Sequence, residues 1–156
     1  MAFDECTDYP SSYEDAEQSM HLTHRWTERS LNYFQEHQKG HLLFGIVQGG
    51  LNLDLRAESA ESMINLNFDG YAIGGLAIGE TQLERKSVVD FLTEVLPIDK
   101  PRYVMGLGDT VGLIDLIDSG VDMFDCVWPA RLARHGKLII KNKYICLLYT
   151  SPSPRD

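Results

Sequence analysis

Polar residues and glycines follow several short apolar runs in this sequence, and their side chains and backbone groups could bind a ligand or take part in a reaction. Carboxylates at Asp4 and Asp125, an amide at Gln48 and bare backbone at Gly75 would offer acceptors and donors to a flat heterocycle in a common pocket. Glycine also lets a ligand approach the backbone N–H closely. The clusters are Asp4-Glu5-Cys6, Gln48-Gly49-Gly50, Gly74-Gly75, Gly106-Leu107-Gly108 and Asp125-Cys126.

Each cluster also has a simpler interpretation. A lone Asp after a strand most often caps the following segment, which would account for Asp4 and Asp125. Glycine-rich turns at 48–50 and 106–108 are weak evidence on their own. Taken singly, the simpler interpretation is favoured for each cluster. Five such ends together favour a site, because the active site of a barrel enzyme is built from the ends of several strands.

The secondary structure around these clusters alternates between short apolar runs and segments with an apolar repeat near 3.6 residues. Runs that are apolar on both faces are typical of buried parallel strands, so the alternation indicates βα units. The predicted strands are 1–3, 42–47, 71–73, 103–105 and 123–127.

Four helices are predicted between these strands. Ser11 or Ser12 caps the first, which runs to about residue 38 and is stopped by Gly40. Pro97 ends the third, while Asp109 caps and Gly120 closes the fourth. The apolar faces are Ala16, Met20, Leu31 and Phe34 on the first helix, Leu53, Ala57, Ala60 and Ile64 on the second, and Val88, Phe91, Leu92, Val95 and Leu96 on the third.

Five strands with four helices, entered in the middle of a strand, favour part of a (β/α)8 barrel over a complete sheet. We therefore expect a chain truncated at its start. Residues 146–156 have no apolar period and resemble a sequencing adaptor translated as protein. We expect a partial barrel domain over 1–145, followed by a non-native tail at 146–156.

The balance of 14 basic and 23 acidic residues gives a net charge of −9, which argues against binding a polyanion. The charge is uneven, however, and a basic cluster with no acid inside it makes a local basic patch: Arg131, Arg134, Lys137, Lys141 and Lys143. No apolar run approaches the roughly 20 residues that cross a bilayer, so a cytoplasmic location is expected.

The three cysteines, Cys6, Cys126 and Cys146, stand far apart without a CxxC pair. Neither a disulfide framework nor a zinc cage is predicted from them. We interpret Cys6 and Cys126 as thiols packed like small hydrophobic side chains. The five histidines show no metal-ligand spacing with any cysteine or acid and are interpreted as structural or solvent-facing.

Five segments, taken in order, resemble the signature segments of tRNA-guanine transglycosylases. They are MAFDECTDYP, LFGIVQGG, NFDGYAIGGLAIGE, PRYVMGLG and VDMFDCVWPAR, and the similarity runs from residue 1 to about 145. Ile78 in the third segment favours the bacterial branch of the family.

The resemblance implies that the chain is an internal fragment holding strands four to eight, the C-terminal half of a TIM barrel. The intact enzyme would exchange guanine at the wobble position of tRNA for a 7-deazaguanine, in queuosine biosynthesis, through a covalent aspartate–ribose intermediate. Implied partners are tRNA, guanine and the 7-deazaguanine base, with a homodimer when intact. Zinc is implied too, but its ligands would lie outside this chain, so the fragment is expected to be inactive and to hold no stoichiometric zinc.

The resemblance also implies roles for individual residues. Asp125 would be the nucleophile that attacks the anomeric carbon of the ribose. Asp4 would accept hydrogen bonds from the guanine N1 and amino group. Gln48 and the Gly75 N–H would bind the carbonyl edge of the base, and Met105 would cover one face of its ring.

Further residues complete the implied site. Leu76 with Glu80 would meet the side chain of the incoming deazaguanine, and Cys6 is placed among the base-binding residues. Contacts to tRNA are expected from Arg131, Arg134 and Lys137. Ala130 stands where the family commonly has threonine.

Two alternatives remain open at this point. A barrel enzyme acting on a sugar phosphate could use 106–108 as a phosphate cradle, but this leaves Asp4 and Gln48 unexplained. A non-catalytic tRNA-binding subunit of the same family is the other alternative, and the presence of Asp125 with Asp4 and Gln48 speaks against it.

Overall fold

The computed structural model describes residues 1–37, 39–108, 110–140 and 143–146. Helices and strands alternate as the apolar pattern predicts until residue 124, after which a helix and a hairpin follow. In chain order the elements are α1 (Tyr13–His37), β1 (Phe44–Val47), α2 (Leu53–Asn65), β2 (Gly70–Ile73), α3 (Gln82–Val95), β3 (Arg102–Val104), α4 (Thr110–Asp118), β4 (Met123–Phe124), α5 (Trp128–Arg134), β5 (Lys137–Ile140) and β6 (Lys143–Cys146).

Strands β1 to β4 form one parallel sheet in which each strand pairs with the next along the chain. The predicted α/β class with a parallel sheet is therefore confirmed. Residues 1–3 are not a strand, but the Ala2 N–H donates to the Phe44 carbonyl at 2.9 Å. This segment thus lies along the open edge of β1.

The core lies between this sheet and the helices that follow its strands. Val47, Ile73 and Val104 are fully buried at the ends of β1, β2 and β3, and Val88 and Leu92 of α3 belong to the same cluster. Because both faces of such a short strand are covered, its residues are apolar without alternation. The strand ends are consequently rigid positions from which to project polar residues.

The first helix follows its prediction. The Ser12 hydroxyl accepts from the Asp15 N–H at 3.1 Å, so Ser12 is the residue that caps α1. Ala16 and Met20 are buried and Leu31 and Phe34 partly so. The third helix ends at Val95, before Pro97, although Val95 itself is exposed.

The predicted apolar face of α2 is correct at Ala60, which is buried, and at Ile64, which packs against the core, but not at its first residue. Leu53 is exposed, and the face that packs inward carries two polar residues, Arg56 and Ser59, which bond the end of β1. Hydrogen bonding to that strand, and not hydrophobicity alone, determines which face of α2 packs against the sheet. Its buried residues are Leu55, Arg56, Ser59, Ala60 and Met63.

The last part of the chain contains elements that the apolar pattern did not predict, namely α5 and the antiparallel hairpin of β5 and β6. Cys146, assigned by sequence to the tail, pairs with Lys137 in this hairpin. The predicted cap Asp109, Lys141 of the basic cluster and residues 147–156 lie outside the described residues. Among described helices, none is long and apolar enough to cross a membrane.

Candidate active site at the carboxyl ends of the strands

The polar clusters follow β1, β2, β3 and β4 directly. Carboxyl ends of parallel strands meet at one edge of a sheet, so the clusters share that edge. The Asp4 cluster, which precedes α1, contacts the cluster after β1 directly, because the Gln48 Nε2 donates to the Asp4 Oδ2 at 2.7 Å. The structure therefore brings together an acid and an amide that the sequence separates by 44 positions.

The loop that carries Asp4 is held by α1. The Thr23 hydroxyl accepts from the Glu5 N–H at 2.9 Å, and the Ser19 hydroxyl donates to the Glu5 carbonyl at 2.9 Å. These bonds fix the backbone and leave Asp4 half-buried. Cys6 is exposed, which corrects its interpretation as a packed thiol. The loop is anchored through Glu5, so Cys6 is free to face the cleft.

Gln48 lies against bare backbone. It is buried, and its N–H donates to the Ser59 hydroxyl at 3.1 Å. A Cβ on Gly74 would lie 2.6 Å from the Gln48 Nε2, and one on Gly75 would lie 2.5 Å from its Oε1. Gly75 also has φ +66°. Glycine is therefore required here by space and by conformation.

Arg56 is a residue of this site that the sequence analysis missed. It is fully buried, and it donates from Nε to the Gly50 carbonyl and from Nη1 to the Val47 carbonyl, each at 2.8 Å. Burial lowers its pKa to about 10. Its guanidinium thereby clamps both ends of the Gln48-Gly49-Gly50 turn. No apolar repeat signals such a residue, because arginine is mostly exposed.

Glu80 is buried and organises the loop after β2. Burial works against its ionisation, but the Arg85 Nε at 2.6 Å and several backbone N–H groups outweigh this and hold its pKa below the usual value. Leu76, in the same loop, is also buried. The backbone donors are Ala77 at 2.7 Å, Ile78 at 3.0 Å and Gly79 at 3.2 Å.

Asp125 stands at the end of β4 and is exposed. Its Oδ1 accepts from the Tyr103 hydroxyl at 2.6 Å and from the Gly106 N–H at 2.7 Å. The Tyr103 bond, and then the Gly106 bond, hold the pKa of Asp125 below its usual value. Asp125 does not cap α5, since the N-cap there is Val127. The structure therefore gives an anionic carboxylate that points at the shared edge and has no capping role.

The loop after β3 packs closely on the segment that follows β4. A Cβ on Gly108 would lie 2.2 Å from the Cys126 Cβ, so this glycine is required for packing. Met105, at the end of β3, is half-buried. A cavity of about 330 Å³ runs along these loops, lined by Ala77, Gly79, Glu80, Arg85, Gly106, Leu107, Gly108, Cys126 and Trp128.

A second cavity, of about 230 Å³, lies on the Gly50 and Gly75 side of the same edge. A larger cavity, of about 920 Å³, lies elsewhere, between residues 1–3 and α1, and is lined by side chains such as Phe3, Trp26 and Tyr33. No carboxylate is among its described lining residues, whereas Glu80 lines the cavity of about 330 Å³ at the strand ends.

A family model described as "Queuine tRNA-ribosyltransferase" matches residues 1–151. The chain belongs to the queuine tRNA-ribosyltransferase family. This confirms the resemblance seen in the five sequence segments. Residues around Asp4, Gln48, Gly75 and Asp125 all lie inside the match.

Curated queuine tRNA-ribosyltransferases are similar to this chain over most of its length. The protein of Actinobacillus pleuropneumoniae serotype 5b is 49% identical over 142 residues, 91% of this chain and 37% of that protein. That of Mannheimia succiniciproducens is 50% identical over 140 residues, 90% of this chain and 37% of the relative. The protein of Rickettsia africae is 50% identical over 141 residues, which are 90% of this chain and 39% of that protein. The chain thus spans well under half the length of these relatives.

The basic residues of this queuine tRNA-ribosyltransferase segment lie close behind Asp125 in the chain. Arg131 and Arg134 are on α5 and Lys137 begins β5, and all three are exposed. Lys143, at the start of β6, is exposed too. The structure therefore presents a basic surface next to the candidate nucleophile.

The zinc expected from the family resemblance does not fit the described residues. Their one group of suitable ligands is His21 and His24 of α1 with Glu58 of α2, whose ligand atoms lie within 4.8 Å of one another. This corrects the expectation that no histidine is spaced with an acid, because packing of α1 on α2 joins them. The group contains no cysteine.

Proposed function

We propose that this chain is the part of a tRNA-guanine transglycosylase that recognises the base and supplies the nucleophile. The intact protein would exchange guanine at the wobble position of tRNA for a 7-deazaguanine. One observation carries the proposal: the Asp125 carboxylate, kept anionic by Tyr103 and Gly106, lies at the same sheet edge as the Asp4–Gln48 pair. Family membership supports it independently.

We further propose that the sheet is the C-terminal half of a (β/α)8 barrel, with residues 1–3 in strand four and β1 to β4 as strands five to eight. The strands neighbour each other in sequence order, which is the order of a barrel. A doubly wound sheet would instead reverse its order at a switch point. The bond from Ala2 to Phe44 supports a further strand at the β1 edge.

In the proposed complex, the guanine edge bearing N1–H and the amino group meets Asp4, which can accept two hydrogen bonds. Gln48, now bonded to Asp4, exchanges that bond for one with the base carbonyl. The Gly75 N–H joins it there. Met105 covers the ring, and Cys6 lines the same cleft.

The chemistry is a double displacement at the ribose C1′. An Asp125 oxygen forms a bond to C1′ while the bond from C1′ to the base nitrogen breaks, and the electron pair leaves on guanine. Donors at Gln48 and Gly75 stabilise the charge on its carbonyl oxygen. The departing guanine anion takes up one proton and the incoming 7-deazaguanine gives up its ring N–H proton, so the exchange consumes no net proton. The deprotonated ring nitrogen then forms the bond to C1′ as the bond from C1′ to Asp125 breaks. Two inversions retain the β configuration.

The remaining features of the intact protein rest on the family resemblance. Leu76 and Glu80 meet the substituent of the incoming base, and the homodimer, the zinc subdomain and the cytoplasmic location belong to the same proposal. Contacts to the tRNA backbone come from Arg131, Arg134 and Lys137.

The rival sugar-phosphate function loses its main support. A phosphate cradle needs free backbone N–H groups, yet the Gly106 N–H donates to Asp125. Gly108 is explained by its close packing on Cys126. A non-catalytic subunit would have no need of a carboxylate held anionic at the cleft.

The test compares two substitutions in the intact protein. Asp125→Asn keeps the volume but replaces the anion with an amide, so tRNA still binds and no enzyme–tRNA adduct survives denaturing electrophoresis. Asp4→Asn leaves the nucleophile intact and weakens guanine binding by about 1–3 kcal/mol, the cost of a mismatched buried polar pair. An adduct formed by Asp125→Asn but abolished by Asp4→Asn would reverse the two roles.

A further inference from the structure

Arg56 carries a buried positive charge that the described residues do not neutralise by an ion pair. Its Nε and Nη1 donate to neutral carbonyls, and its Nη2 is buried with no hydrogen-bond partner among the described residues. A buried cation without a counter-ion is costly to a fold. Arg102 also has a buried nitrogen with no hydrogen-bond partner among the described residues, so what distinguishes Arg56 is its position beside the carboxyl ends of the strands.

The unpartnered Nη2 lies behind the Gly75 backbone of the proposed base pocket. It lies 3.4 Å from the Cβ position of Gly75, the residue whose N–H is proposed to bind the base carbonyl. Burial and then the Asp4 carboxylate raise the pKa of the Cys6 thiol, and the positive charge of Arg56 works against both. The Glu80 carboxylate interacts with the same guanidinium charge. The guanidinium therefore lies directly behind the wall of the site.

We propose that Arg56 is the positioning residue of the base site and the source of the positive potential that stabilises guanine as an anionic leaving group. It acts through the Gln48-Gly49-Gly50 turn, which it clamps, and through Gly75, behind which its third nitrogen lies. The electrostatic part of this role rests on the proposed function.

A lysine could not replace these contacts. The planar fork of arginine supplies donors in three fixed directions, two for the carbonyls of Val47 and Gly50 and one toward Gly75. A lysine ammonium is a compact charge on a flexible stem. Arg56→Lys therefore keeps the positive charge but loses the fork geometry, so the two contributions can be measured separately.

The first experiment uses the Cys6 thiol as a probe of the field and requires no catalysis. In the intact protein, the rate of iodoacetamide alkylation at Cys6 is followed against pH, with peptide mass spectrometry separating Cys6 from other cysteines. Arg56→Gln removes the charge and raises the thiol pKa, so alkylation at neutral pH slows. Arg56→Lys keeps the pKa near the wild-type value.

Arg102 offers a matched control, because it is also buried and donates to the carbonyls of Leu96 and Gly120. Arg102→Gln destabilises the fold by a similar mechanism but leaves the Cys6 pKa unchanged. Circular dichroism establishes that each variant is folded. If Arg56→Gln is folded and its Cys6 pKa equals that of wild type, the proposed potential is absent and the inference is overturned.

The second experiment measures base exchange into tRNA. Arg56→Gln removes the charge of Arg56 and its hydrogen bonds to the Val47 and Gly50 carbonyls. This loss lowers kcat by about ten- to hundredfold, with little change in KM for tRNA. The loss is smaller when tRNA carries 8-azaguanine at the target position, since its extra ring nitrogen makes it a more stable anion. An equal loss for both bases would assign Arg56 a purely structural role.

Wild-type protein that exchanges neither base would refute the proposed function instead, while the Cys6 measurement would still stand.

Discussion

At the scale of single residues, the Asp125 carboxylate is held by two donors that belong to a different strand end. Tyr103 and Gly106 both bond the Oδ1 of Asp125, which orients the carboxylate and favours its anionic form. Burial and this bond together raise the pKa of Tyr103 to about 12, so it remains a donor throughout the physiological range. Asp125 and the two groups that orient it thus form a unit.

Tyr103→Phe tests this unit through pH. Losing the tyrosine bond raises the pKa of Asp125 toward its usual value, so the carboxylate becomes protonated at a higher pH as acid is added. The acid limb of the pH profile for adduct formation should therefore move upward in pH, and the rate at neutral pH should fall by roughly two- to tenfold. Tyr13→Phe, which breaks the 2.8 Å bond to Asp54 on the surface, is the control. A profile identical to that of wild type would show that Tyr103 does not tune Asp125.

Gly75→Ala tests the close approach of Gln48 to bare backbone. Both the left-handed conformation and the 2.5 Å contact with the Gln48 Oε1 oppose a side chain here. We expect a stability loss of about 1–3 kcal/mol together with reduced guanine affinity. Gly40→Ala is the matched control, because its φ is +76° but no described atom lies within 4 Å of the added Cβ. Chemical denaturation measures the backbone strain in both variants, and guanine binding measures the effect of displacing Gln48. Equal losses of guanine affinity in the two variants would contradict the proposal.

At the scale of elements, three loops of the candidate site are held by helices. Side chains of α1 bind the loop that carries Asp4, and Arg56 and Ser59 of α2 bind the loop after β1. At the start of α3, the capping box of Thr81 and Glu84 follows directly after Glu80. The helices therefore act as the second layer of the site.

Thr81→Ala tests the third of these supports. The hydroxyl of Thr81 accepts from the Glu84 N–H, and the Glu84 carboxylate accepts from the Thr81 N–H at 2.8 Å. Losing such a cap should lower the free energy of unfolding by about 1 kcal/mol. Thr93→Ala within the same helix should be neutral or slightly stabilising, because alanine has the higher helix propensity. Urea unfolding of both variants measures the difference, and equal stabilities would mean that the box is not formed.

At the scale of the whole molecule, charge is distributed unevenly. The net charge is −9, yet the described residues after Asp125 contain no acid, and α5 and β5 expose Arg131, Arg134 and Lys137. A locally basic surface on an acidic chain can attract a polyanion to one side and repel it elsewhere. In the proposed complex, such a distribution orients the tRNA toward the cleft.

Charge reversal tests this surface. Arg131→Glu in the intact protein should weaken tRNA binding and reduce the slope of log K against log salt by about 0.7–0.9 for each phosphate that the protein no longer neutralises. Lys100→Glu, in the turn before β3 and thus at the opposite end of the sheet, is the control. Binding curves at several salt concentrations provide the measurement. A salt slope that is the same for wild type and Arg131→Glu would leave the cluster as a solvated surface.

The βα alternation, the parallel sheet and the positions of the polar clusters follow from the amino-acid sequence alone. Apolar runs that are not interrupted by polar residues specify buried parallel strands, and the chain places Gln48, Gly75 and Asp125 soon after three of them. These properties are local. They depend on residues that are neighbours in the chain, and a pattern of hydrophobicity records them directly.

The residues that support the clusters could be identified only in the folded chain. Arg56 and Ser59 face inward on α2 because carbonyl and amide groups at the end of β1 bind them, and the apolar repeat does not record polar residues on an inward face. Tyr103 reaches Asp125 across 22 positions, and Glu58 meets His21 and His24 across the packed helices. Such contacts arise when strands pair and helices pack, and the energy of a buried hydrogen bond depends on a partner that lies far away in the sequence.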